Sequence, residues 1–65
     1  MTDNASAMAD LVTALRENAE LAAEMVAAVR TAGGPDLTRI EKLAERAAQK
    51  LTVIRLNVAV LGGTS

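Results

Sequence analysis

Cysteine, histidine and all three aromatic residues are absent from this 65-residue sequence. No disulfide can form without cysteine, and the usual zinc and iron ligands are missing, so we expect neither a metal site nor a bound cofactor. Without Phe, Tyr and Trp the core must be aliphatic, and there is no platform on which bases or sugars could stack.

Long apolar runs and a strong net charge are also lacking. No apolar stretch approaches the roughly 18 residues of a membrane span. The net charge of −1 gives no general attraction to nucleic acid or to acidic membranes. The segment MTDNASAMADL lacks a basic region followed by an apolar run, so we expect no secretory signal there and a cytoplasmic location.

Catalytic patterns are missing as well. Ser6 has no His or Lys spaced to activate it, and AGGPDLT lacks the Gly-Lys-Ser/Thr ending of a phosphate-binding loop. Asp10, Glu17 and Glu24 recur every seven residues, which is typical of a solvated helix face. We therefore predict a protein that is not an enzyme and has no catalytic residues.

Alanine is the commonest residue, with 14 copies, and it is the best helix former. One break, TAGGPD at 31–36, divides the chain, and Asp36 and Thr38 compete as the N-cap after it. We predict an all-α, antiparallel two-helix hairpin, with helices over about 5–32 and 36–61. The hairpin forms a single domain over 1–65 that ends in a frayed tail at 62–65.

Apolar residues spaced alternately three and four apart predict the seam between the two helices. In the first helix the row is Met8, Leu11, Leu15, Asn18, Ala22, Met25, Val29 and Ala32. In the second it is Leu37, Ile40, Ala44, Ala47, Leu51, Ile54, Val58 and Leu61. If the chain folds back at the break, each residue of the first row faces a residue of the second, and the numbers of the two partners sum to 69. Asn18, the polar member, is predicted to fix the register.

The segment LTVIRLNVAVL fits two periods, because its β-branched residues alternate as in a strand while Leu51, Ile54 and Val58 continue the helical row. We predict a helix, since no turn signal precedes the segment and a strand would have no partner strand in this chain.

A second row in this helix comprises Arg39, Lys42, Arg46, Gln49, Val53, Leu56 and Val60. Its last three members make the end of the helix apolar on two faces, so something besides the first helix must cover them. We predict an oligomer or partner interface formed by Val12, Val53, Leu56 and Val60. A second copy would complete a four-helix bundle; another protein and a membrane surface are the alternatives, the membrane being the less favoured.

The two helices differ in charge, the first carrying −3 and the second +2. Arg39, Lys42, Arg46 and Lys50 are a possible basic face for a partner. The opposite charges also favour antiparallel docking of the two helices themselves.

These patterns predict a small helical protein–protein interaction module, an adaptor, chaperone or assembly factor, that acts as a homo-oligomer and contacts a helical protein partner. One alternative is a nucleic-acid-binding regulator that uses the basic residues, which the acidic pI and missing aromatics disfavour. The other is a structural subunit of a larger assembly.

Overall fold

The computed structural model describes residues 4–63 as two helices, α1 (Asn4–Val29) and α2 (Leu37–Leu61), joined by residues 30–36. The helices pack against each other along their length as an antiparallel hairpin. The predicted all-helical hairpin is confirmed, and residues 4–63 contain no strand.

The segment LTVIRLNVAVL lies inside α2, so the helical prediction for it is correct. Two of its polar side chains bond the helix backbone four residues back. The Thr52 hydroxyl donates to the Ala48 carbonyl at 3.4 Å, and the Asn57 amide donates to the Val53 carbonyl at 3.0 Å. The helix continues without a break through the β-branched residues of this segment.

Helix α1 ends at Val29, three residues before the predicted end at 32. In a longer helix the Ala28 carbonyl would accept a bond from residue 32. Here it accepts from the Thr31 hydroxyl and from the Asp36 backbone N–H, each at 2.9 Å. Two residues of the connection therefore bond the carbonyl that residue 32 would have bonded in a longer helix.

The connection turns at Gly34, which has a φ of 105° and donates its N–H to the Thr31 carbonyl. Helix α2 then begins behind Asp36, whose carboxylate accepts the Arg39 N–H at 3.1 Å. Asp36 is thus the N-cap, and Thr38, its rival in the sequence, lies inside the helix. After Leu61, Gly62 and Gly63 form a turn; the remainder of the predicted tail, 64–65, is outside the described residues.

The seam between the helices differs from the predicted one by a rotation of both helices. Buried and half-buried residues in α1 are Ala7, Leu11, Ala14, Asn18, Leu21, Met25 and Ala28. In α2 they include Ile40, Leu43, Ala47, Lys50, Ile54, Asn57 and Leu61. These fourteen residues are called the seam below. When the seam residues of α1 and α2 are paired in order from the connection, the two residue numbers of each pair sum to 68. The predicted pairs sum to 69.

About half of the predicted seam is therefore wrong, since six of its large members, Met8, Leu15, Val29, Leu37, Leu51 and Val58, are exposed. The α1 residues that replace them, such as Ala7, Ala14 and Ala28, are mostly small and buried. Small side chains let the two helix backbones approach closely. Several large aliphatic side chains, among them Met8, Leu15 and Leu51, are consequently left outside the seam.

Candidate interaction surfaces

One side of the hairpin carries a row of charged and polar residues from each helix, each one position before a seam residue. We call it the charged face: Glu17, Glu20, Glu24, Arg39, Lys42, Arg46 and Gln49. These residues line two adjoining shallow grooves of about 460 and 380 Å³, which share Glu24, Arg46 and Gln49. Rows that precede the seam in the two helices thus lie on the same side of the hairpin.

Two ion pairs connect the helices near this face. Arg39 Nη2 lies 3.4 Å from Glu24 Oε1, and Lys50 Nζ lies 2.9 Å from Glu17 Oε1. The partners are largely solvated, so each pair contributes only about 0–1 kcal/mol. In both pairs the carboxylate comes from α1 and the cation from α2. This arrangement agrees with the docking role that was predicted for the opposite charges of the two helices.

The predicted basic face does not form an uninterrupted positive surface. Arg39 and Lys50 pair with carboxylates of α1, and Lys42 and Arg46 line a groove that Glu24 also lines. Lys50 is moreover a half-buried member of the seam. Carboxylates are therefore interleaved with the cations, which weakens the attraction that this side could offer to phosphates.

Asn18 is half-buried in the seam, at the position predicted from the sequence. Two further polar residues, Lys50 and Asn57, also occupy the seam and were not predicted there. The Asn57 amide is bonded to its own helix at the Val53 carbonyl. The register role of Asn18 stays a prediction.

The opposite side of the hairpin is built from the helical residues that follow the seam by one position, together with Leu37, the first residue of α2. Successive residues are rotated by about 100°, and antiparallel helices turn in opposite senses, so these rows of α1 and α2 share one side. We call it the apolar face. It consists of Met8, Val12, Leu15, Ala19, Ala22, Val26, Val29, Leu37, Glu41, Ala44, Ala48, Leu51, Arg55 and Val58, all exposed.

Only Glu41 and Arg55 interrupt the apolar character of this face. The sequence contained the signal for it, because α1 has two neighbouring rows of apolar residues with the same three–four spacing. Sequence reasoning combined members of both rows into one seam and so missed a separate face. Leu15, for example, is 48% exposed where burial was predicted.

The four predicted interface residues do not lie on one surface. Val12 belongs to the apolar face, whereas Val53, Leu56 and Val60 continue the α2 row of the charged face toward the end distant from the connection. We call these three the terminal patch. Val53 is 40% and Leu56 63% exposed, while Val60 is half-buried.

Comparison of the chain with protein-family models, curated proteins and solved structures finds no match. Within residues 4–63, neither helix has the length and apolar character needed to cross a membrane. The same residues hold no cluster of three or more acidic, cysteine or histidine side chains that could bind a metal ion.

Proposed function

We propose that this chain is a small helical protein–protein interaction module, not an enzyme, and that it acts as a homo-oligomer in the manner of an adaptor, chaperone or assembly factor. The observation that carries the proposal is the apolar face. Twelve of its fourteen exposed residues are apolar, and they run the length of both helices. Soluble monomers rarely expose one apolar surface of that extent.

The exposed area of the chain supports the same conclusion. A compact chain of 6.7 kDa exposes about 3,900 Å² by the usual scaling of area with mass. This chain exposes 4950 Å². The excess of about 1,000 Å² is close to the roughly 800 Å² that one partner contributes to a protein–protein interface of standard size.

The other two candidate functions rest on weaker observations. A nucleic-acid-binding regulator would need the basic residues free, and two of the four pair with glutamates of α1. A structural subunit of a large assembly would use the same apolar surfaces, but it would form large particles of mixed size instead of a discrete oligomer.

The test compares the wild-type chain with two matched leucine variants on opposite sides of the hairpin. Leu15→Glu places a charge on the apolar face, and Leu56→Glu places one on the terminal patch. We expect sedimentation equilibrium to show a discrete wild-type oligomer that Leu15→Glu disrupts. If Leu56→Glu stays folded and oligomeric, the terminal patch is free for a second protein.

A wild-type chain that stays monomeric up to the highest soluble concentration would contradict the proposed function. Large, heterogeneous particles would favour the structural subunit. Binding to RNA or DNA that falls steeply with salt would favour the regulator.

A further inference from the structure

The apolar face carries two charges, and their positions indicate how a second copy docks. Glu41 and Arg55 lie seven residues on either side of Ala48 in the α2 row. In the α1 row, Val12 and Val26 lie seven residues on either side of Ala19. Each row thus has an alanine at its centre. In the α2 row, Glu41 and Arg55 have opposite charges and lie at equal distances from the central Ala48.

We propose that two copies pack apolar face against apolar face, with each helix antiparallel to the same helix of the other copy and the two connections at opposite ends. The product is an antiparallel four-helix bundle. This inference rests on the proposed function and specifies its partner, a second copy of this chain.

Charge complementarity follows from this orientation. With a twofold axis at Ala48, Glu41 of one copy lies opposite Arg55 of the other, and the pair occurs twice. Ala44 then comes to within one residue of the level of Leu51, and in α1 Leu15 comes to within one residue of the level of Ala22. Small residues face large ones, which is the arrangement that lets packed layers interdigitate.

A single axis can serve both helices. The central residues Ala19 and Ala48 sum to 67, within one residue of the seam register of 68. They therefore lie at nearly the same height in the hairpin. A twofold axis perpendicular to the helices can pass close to both alanines, where the small side chains allow the helices of the two copies to approach.

The main rival is a dimer with both connections at the same end, in which α1 of one copy stacks on α2 of the other. Ala19 would then face Ala48, but Glu41 would face Val26 and Arg55 would face Val12. Four charges per dimer would be taken from water against apolar side chains without an opposite charge, which is unfavourable. The two charges of the face therefore select the arrangement with connections at opposite ends.

Crosslinking distinguishes the two arrangements, because the chain has no cysteine of its own. We expect Ala19→Cys and Ala48→Cys each to form a covalent homodimer with a short bis-maleimide. Ala23→Cys, on the outer surface of α1, is the control and should not crosslink. Crosslinking that occurs only when the Ala19→Cys and Ala48→Cys chains are mixed would overturn the proposal, as would a dimer that crosslinks at neither position.

Charge reversal supplies a second readout. We expect Glu41→Arg or Arg55→Glu alone to weaken dimerisation about tenfold, and the double variant to restore it to within about threefold of wild type. Glu45→Arg, away from the apolar face, is the control. If the double variant is folded but does not recover dimerisation, the proposed orientation is wrong. A wild-type monomer would overturn the proposed function itself, so the two failures are distinguishable.

Discussion

At the residue scale, the connection between the helices depends on the backbone conformation of Gly34. Its φ of 105° lies in a region that L-residues rarely adopt, although a Cβ there would meet nothing within 4 Å. We expect Gly34→Ala to destabilise the chain by about 1–2 kcal/mol, entirely through backbone strain. The measurement is urea unfolding followed by circular dichroism.

Gly33→Ala is the matched control for this prediction. Its added Cβ also meets nothing within 4 Å, and its φ is not in the left-handed region. We expect it to leave stability unchanged or to raise it by up to about 1 kcal/mol, because alanine restricts the unfolded chain. Equal destabilisation by the two substitutions would show that the strain argument is wrong.

The N-cap of α2 is a second prediction at this scale. Asp36→Ala removes the acceptor of the Arg39 N–H and should cost about 1 kcal/mol of unfolding free energy. Thr38 is the second residue of α2 and does not cap it, so Thr38→Ala should cost less than half of that. The sequence offered both residues as caps, and only the backbone path through the connection decided between them. A larger loss for Thr38→Ala in thermal unfolding would reverse the assignment.

At the scale of the helices, the sequence predicted their number and approximate bounds because strong local signals mark the break. Gly33, Gly34 and Pro35 cannot continue a helix cheaply, and the 25 residues on either side contain no comparable interruption. The exact end of α1 was missed, because it depends on bonds from Thr31 and Asp36 to one carbonyl. Such bonds are not visible in hydrophobic spacing.

The rotation of the helices was harder to predict. Rows beginning at Ala7 and at Met8 have the same three–four spacing, so the predicted seam combined members of both. The structure buries the smaller row and exposes the larger. The terminal patch was recognised from the sequence because Val53 and Leu56 follow charged residues in one row, whereas the apolar face was not, because its members had been assigned to the seam.

Asn18 provides the prediction that belongs to this scale. Replacing a half-buried amide with an apolar side chain removes its desolvation cost, so we expect Asn18→Leu to raise the melting temperature. It should also broaden the distribution of oligomers in sedimentation, because a seam without its polar residue accepts shifted pairings. Asn57→Leu is the control, since its amide is bonded within α2 and should not set the pairing. A less stable Asn18→Leu protein with one discrete oligomer would show that Asn18 makes a needed polar contact.

At the scale of the whole molecule, folding and association should be one equilibrium. Five residues among those described are apolar and buried, and four of them come from α1, three being alanines. A core so small is marginal for a chain of this length. Proteins of this size usually rely on disulfides, metals or association for stability. The chain has no cysteine or histidine, so association is the route that its composition leaves open.

The melting temperature of the wild type should therefore depend on protein concentration. Each tenfold increase favours a folded dimer by about 1.4 kcal/mol, which corresponds to about 5 °C for two chains of this size. In the proposed dimer the charge of Leu15→Glu would face the second copy, so this variant should lose the dependence and much of its helix signal, whereas Leu56→Glu should keep the wild-type slope. Calorimetry and circular dichroism over two decades of concentration measure both quantities. A melting temperature that stays constant for a fully helical wild type would show that the hairpin folds alone, and the apolar face would then need a different occupant.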